Sequence, residues 1–476
     1  MTCTIASAPG KVLVTGGYLV LDQQYLGLVF GTSARFFTVI QNGELPNTIT
    51  VRSPQFEQAT WHYEVQSTLS NLIIQSSADA SSNKFVETCL RYTLKVILEK
   101  VGAPALDKIA QHGLDICIVG DNDFYSQREE LNKLGLSVKS ATARQQLVPF
   151  CKTHATLATV NKTGLGSSAA LTTSLVAALL LHLGALTSVE SPANLALVHN
   201  VAQFVHCYAQ GKVGSGFDVS SAVYGSHRYK RFSPDLLNHI MKEDIDGATL
   251  CKVLESDNHA WDNQVDPVAL PPHFQMILAD IDAGSHTPTL VSKVLKWRKE
   301  QPVEADALWQ ELGSYNDKVA EHFRALSSLH AQDHQAYLET ISAAKDLPSS
   351  EWPTVQGAGA TLEHLIQLVA DFSKVRQLLQ KMSTLTDVPI EPSEQTELLD
   401  RCMAVPGTLM AGVPGAGGYD AIFCVVLSDQ AKERVQQVWE QWEGCNISPL
   451  LCQADSNGVT KVDPTSQSGV ACLNLC

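Results

Sequence analysis

The chain predicts an α+β fold in two domains, on three observations. Short apolar runs punctuated by glycine fill residues 4–40. Long stretches with helical periodicity dominate the second half. Strand-like and helix-like segments never settle into the regular alternation of a doubly wound sheet. The 476 residues suffice for more than one domain, and an apolar fraction of 45% supports a large core. From 229 to 272 the pattern dissolves into polar residues with prolines at 267, 271 and 272. The expected division is therefore 1–228 and 229–476.

Each element follows from its local pattern. Apolar runs between glycines predict strands over 12–14, 18–21, 27–30 and 36–40. Segment 42–83, rich in Asn, Ser, Gln and Thr, reads as hairpins and loops. Phe85, Cys89, Tyr92 and Val96 share one face of a helix over 84–101. Strands over 114–119 and 155–160 flank a polar excursion at 121–150. Helices follow over 168–183 and 194–210, the second stopped by Gly211. The second half opens on a strand over 274–281. Helices near 288–300, 303–327, 333–346, 359–382 and 394–404 come next, then a strand over 421–427, a helix over 429–442 and a strand near 446–453.

Composition excludes several classes. A net charge of −15 argues against nonspecific nucleic-acid binding. No apolar run nears the roughly 18 residues of a membrane span, so no membrane partner is expected. Twelve cysteines are scattered without a paired motif or zinc spacing, which suits a reducing, cytoplasmic compartment.

The densest chemical signal is Lys162-Thr-Gly-Leu-Gly-Ser-Ser-Ala-Ala170, which runs directly into an apolar helix. Gly164 and Gly166 leave backbone N–H groups uncovered, and the first turn of the helix aims its amides and dipole at an anion. Ser167 and Ser168 either cap the helix or face an ion, and Lys162 adds charge at the edge. This is a phosphate loop of an uncommon kind. It lacks the Walker lysine pattern, the third glycine of a dinucleotide fingerprint and the protein-kinase set.

Two more segments complete a pattern. Ala8-Pro-Gly-Lys-Val-Leu-Val-Thr-Gly-Gly17 places Lys11 at the mouth of a strand, and Ala411-Gly-Val-Pro-Gly-Ala-Gly-Gly-Tyr-Asp420 precedes another strand. In this order, the three segments resemble the GHMP kinase superfamily over nearly the whole chain, from Pro9 to Leu427. The resemblance narrows. Gly17-Tyr18 stands where mevalonate kinases have a Glu-His pair. The run Gln210-Gly-Lys-Val-Gly-Ser-Gly-Phe-Asp218 with its continuation to Gly225 looks like the eukaryotic, fungal-type phosphomevalonate kinases, as do residues 120–127 and 282–288.

That resemblance implies a GHMP kinase fold. Its N-terminal domain would resemble the second domain of ribosomal protein S5, and its C-terminal domain would be ferredoxin-like. It also implies ATP and phosphomevalonate as substrates, with Mg²⁺ as cofactor. Gly164, Leu165, Gly166, Ser167, Ser168 and Ala169 would cradle the nucleotide phosphates, with Lys162 beside them and Ser168 as metal ligand. Lys11 and Asp218 match the lysine–aspartate pair at the acceptor oxygen; the plain alternative is an ion pair at a strand mouth. Lys212, Ser215, Ser220, Ser221, Ser285 and Thr287 are candidates for the acceptor. Gly415, Gly417 and Gly418 would pack against the phosphate loop, and Asp420 either reaches the pocket or caps the turn. Mevalonate kinases supply a glutamate to the metal; around the matching stretch stand His206, Cys207 and Gln210, with no carboxylate.

Overall fold

The computed structural model describes residues 3–475 apart from 69–70, 77–82, 243–244, 282–286 and 356–358. The first sheet has ten strands. Its spine is β1 (Thr4–Thr15) antiparallel to β2 (Gly27–Asn42), where Thr4 faces Ile40 and Thr15 faces Leu28. Outward from β2 come β3 (Thr48–Arg52), β4 (Thr60–Thr68) and β5 (Asn71–Ser76), with β6 (Leu114–Gly120) inserted between β2 and β3. The pattern of β1 explains its central place. Ala6, Ala8, Val12 and Val14 enter the main core, while Ile5 and Leu13 enter small clusters on the opposite face. Alternate residues of a strand face opposite ways, so a strand apolar on both is covered on both.

Helices Lys84–Val101, Ser167–His182 and Pro192–Gln210 cover the main-core face. The Ser167–His182 helix is buried nearly all round, as a helix apolar on every side must be. Asn83 caps the first helix by accepting from the amides of Phe85 and Val86, and Gly211 ends the third in a left-handed conformation.

Two expected strands are turns. Residues 18–21 form a 3₁₀ turn, Leu19–Leu21, because Gly16 (φ 98°) and Tyr18 (φ 65°) bend the chain and Val20 N–H returns to the Gly16 carbonyl at 3.0 Å. Residues 155–160, expected as a strand, form a turn in which the Thr159 hydroxyl accepts from the Thr156 amide at 3.1 Å. Local threonine bonding wins over pairing there.

The expected division at 228/229 falls inside a strand. β7 (His227–Lys230) pairs with β2, and β8 (Gln264–Pro267) pairs with β7. Tyr229 is fully buried, which ties this strand to the first sheet. The second sheet has four antiparallel strands in the order β10 (Thr408–Gly412), β11 (Ala421–Val426), β9 (Gln275–Ile281), β12 (Ile447–Leu450). Long helices Pro302–Gln332 and Ala360–Thr386 pack together; the second lies on β10 and the first reaches β2 of the first sheet. The chain then returns to the first sheet. β13 (Ala454–Asp455) pairs with β2 and β14 (Thr460–Val462) with β1.

Candidate active site

Lys11 lies just after a register shift in β1, between Pro9 and Lys11. This irregularity frees the strand to bind the phosphate loop. Lys11 donates from its backbone N–H to the Leu165 carbonyl at 2.9 Å and from Nζ to the Gly164 carbonyl at 2.7 Å. Gly166, with φ 77° and ψ 40°, precedes the Ser167–His182 helix. A Cβ there would lie 3.0 Å from Cγ and Cε of Lys11, so the close passage of the lysine stem needs glycine. Leu165 packs into the core, and Ser167 is buried with its hydroxyl bonded to that of Tyr125. Ala169 N–H returns to the Gly166 carbonyl, closing the first turn.

Asp218 sits in the first turn of helix Phe217–Tyr224, behind Gly216 (φ 85°). Its Oδ1 accepts from the Val219 amide at 3.0 Å. Lys11 Nζ lies 5.5 Å over the Phe217 ring. Burial pushes the Lys11 ammonium below its usual pKa, and the charges of Asp218 and Asp420 oppose that shift. The lysine thus feels two carboxylates, one from each sheet's side. Asp420 lines the cavity at this point.

That cavity has a volume of about 200 Å³. Lys11, Tyr18, Gly164, Ser215 and Phe217 line one wall; Leu278, Val291, Gly415 and Asp420 line the other. The glycine-rich loop joins the walls. Gly415 N–H donates to the Leu13 carbonyl at 2.9 Å, and the Tyr18 hydroxyl donates to the Ala416 carbonyl at 2.6 Å. Gly415, Gly417 and Gly418 all have positive φ, and Gly418 N–H is held by the Ile390 carbonyl at 2.9 Å.

Not every expected residue reaches the cavity. Ser220 and Ser221 are fully buried; Ser220 Oγ meets His227 Nε2 at 2.9 Å and Ser221 Oγ donates to the Gly225 carbonyl. They occupy the inner face of their helix, two and three residues past Asp218, and serve the fold. Lys162 and Lys212 are exposed at the loop edges, and Lys162 forms an isolated bridge with Tyr125. Ser285 lies outside the described residues, and Thr287 opens helix Thr287–Glu300.

One residue was not expected here in any positive role. His206 Nε2 lies 3.1 Å from Ser168 Oγ, 3.2 Å from Gln210 Nε2 and 3.8 Å from Asp218 Oδ2. Burial holds its pKa down, against the pull of Asp218. The sequence signal was only its spacing of four from Gln210 on a helix.

The fold and the site together define a class. Residues 131–226 match the GHMP kinases N-terminal domain, and residues 362–444 match the GHMP kinases C-terminal domain. "Phosphomevalonate kinase, peroxisomal" of Arabidopsis thaliana is 38% identical over 99% of both chains. "Phosphomevalonate kinase ERG8" of Gibberella zeae is 38% identical over 96% of both. The chain belongs to the phosphomevalonate kinase family. The same fold is found in the phosphomevalonate kinase of Streptococcus pneumoniae, solved in complex with phosphomevalonate and AMPPNP. It superposes with a TM-score of 0.55 at 15% identity, covering 96% of this chain and all of the other.

Proposed function

We propose that the enzyme transfers the γ-phosphoryl group of ATP to the phosphate of (R)-5-phosphomevalonate, giving 5-diphosphomevalonate and ADP, a step toward isoprenoids and sterols. One observation carries the mechanism: Lys11, half-buried, is bonded to the phosphate loop, faces the cavity and feels the charges of Asp218 and Asp420. In this reading Gly164 to Ala169 and the helix dipole behind them hold the nucleotide phosphates, with Lys162 adding charge at the rim. Lys11 neutralises charge on the migrating group, where phosphoryl transfer gains most from a protein. Ser215 in the cavity wall receives the acceptor, Lys212 adds charge from the loop edge, and Asp218 orients the acceptor.

We propose that Mg²⁺ accompanies the nucleotide and neutralises its phosphates. Ser168 Oγ and Asp218 Oδ2, both turned toward His206 Nε2, are the oxygen donors that suit such an ion. Among the described residues no group of three or more His, Cys, Asp or Glu side chains could hold a metal. The ion would therefore take most of its ligands from phosphate and water. The expected cytoplasmic location has a counterexample among the relatives, since the Arabidopsis protein is named peroxisomal. Among the described residues no helix is long and apolar enough to cross a membrane.

The test is an ATP-consumption assay with phosphomevalonate and mevalonate side by side. Turnover with phosphomevalonate should exceed that with mevalonate by at least about a hundredfold. A missing phosphate leaves the cations built for it unpaired, and such losses reach 10⁴ in other enzymes. Comparable kcat/KM for the two acceptors would overturn the assignment.

The loop contact gives a second expectation. A Cβ on Gly17 would lie 2.0 Å from the Gly415 carbonyl oxygen, a backbone atom that must then move. Displacing the cavity wall by about an ångström can cost as much as 10² in rate. Gly17→Ala should lower kcat/KM by about ten- to a hundredfold while its far-ultraviolet circular dichroism stays unchanged.

A further inference from the structure

Ser168, His206 and Asp218 stand on three separate helices that converge on one imidazole nitrogen. His206 is 3% exposed, and its ring lies 5.7 Å from that of Phe85, so it has little freedom to turn. Its Nε2 is 3.1 Å from Ser168 Oγ but 3.8 Å from Asp218 Oδ2. The first distance is a hydrogen bond; the second is too long for one. The Gln210 amide nitrogen, 3.2 Å away on the next turn, faces the same nitrogen as a donor. Nε2 is thus set as an acceptor, and its single lone pair is shared by the Gln210 amide and the Ser168 hydroxyl, the nearer of the two donors.

We propose that His206 is a positioning residue, which fixes the Ser168 hydroxyl by accepting its proton and so turns the Oγ lone pairs toward the nucleotide side. The inference rests on the phosphate-loop reading above. A serine hydroxyl left to rotate offers its lone pairs in the needed direction for only part of the time. Bonded to a wedged imidazole, it presents them continuously. The same ring stands beside Asp218 without engaging it, which leaves that carboxylate for the ion and the acceptor. The role differs from simple core packing because it depends on one ring nitrogen rather than on ring volume.

A double-mutant cycle separates the two. His206→Phe keeps the ring and removes the acceptor; it should lower kcat/KM for Mg·ATP by about tenfold or more, with KM for phosphomevalonate unchanged. The loss should vanish in a Ser168→Ala background, since both changes remove one interaction. Calorimetric titration with ATP gives a readout apart from turnover. The gain in ATP affinity on adding Mg²⁺ should shrink in His206→Phe, while affinity measured in EDTA stays at the wild-type value. His206→Gln, whose amide oxygen reaches toward the same point, should recover part of the loss. If His206→Phe does not fold, the cycle is run with His206→Gln, again expecting no additional loss beside Ser168→Ala. Additive losses, or an equal fall in ATP affinity with and without Mg²⁺, would reduce His206 to packing and overturn the proposal. Wild-type enzyme inactive on phosphomevalonate would instead overturn the functional reading beneath it.

Discussion

Lys11→Ala should lower kcat/KM by about 10³ or more, the scale of losing a main electrostatic stabiliser, and Asp218→Asn should cost less. The asymmetry follows from the acceptor. An alcohol must lose a proton before it attacks, so an alcohol kinase gains from a base. A phosphate monoester has a second pKa near 6 and is already mostly dianionic at about pH 7. Its oxygen needs no base, but two anions must be brought together. Lys11, bonded to Gly164 and flanked by Asp218 and Asp420, is the cation placed to do that. The charge of Asp218 opposes the acceptor except where the lysine screens it. Single-turnover kinetics on both variants, with folding checked by circular dichroism, decide the matter. If Asp218→Asn is the more damaging and its pH–rate profile loses the acidic limb, Asp218 is a base and this account fails.

The largest effect on stability should come from Asp123→Ala, at about 3–5 kcal/mol, the range for breaking a buried ion pair. Asp123 accepts from Arg144 Nε at 3.0 Å and from the amides of Leu451 and Cys452 at 2.9 and 2.6 Å. Arg144 is 2% exposed and also reaches Ser448 and the Asn122 carbonyl. Removing the carboxylate strands a guanidinium where water cannot replace it, and frees the segment that leads from the second sheet back to the first. Asp123→Asn keeps an acceptor for the two amides and should lose less. Urea midpoints for the three proteins measure the order. Equal midpoints for wild type and Asp123→Ala would mean that the pair contributes no net stability.

Local chemistry was legible in the sequence; long-range partnership was not. Gly164, Gly166, Gly415, Gly417 and Gly418 all adopt the positive φ that glycine permits, so a glycine-rich string betrayed each turn. The long apolar helix after Ser167 was equally plain. Tyr18 adopts positive φ without being glycine, and for that reason residues 18–21 read as a strand. Ser220 and Ser221 lie close to Asp218 in sequence, but a helix turn of about 100° per residue carries Ser220 to the far side, and the Ser221 hydroxyl is taken by the Gly225 carbonyl. His206 is 38 residues from Ser168, and no local pattern joins them. The strand at 227–230 was lost because its partners in β2, Gly27 to Val29, precede it by about 200 residues.

β1 owes one of its two edges to β14. Ile5, Ala6 and Ser7 pair with Val462, Lys461 and Thr460, near the opposite end of the chain. At translation rates of about 5–20 residues per second, the ribosome needs on the order of 20–90 s to reach that partner. During that interval the chain presents an apolar strand with unpaired amides and carbonyls along one side. Such an edge is a template for pairing with a neighbouring chain. β1 thus emerges about 450 residues before the strand that closes this edge, and a nascent copy is open to such pairing until β14 arrives.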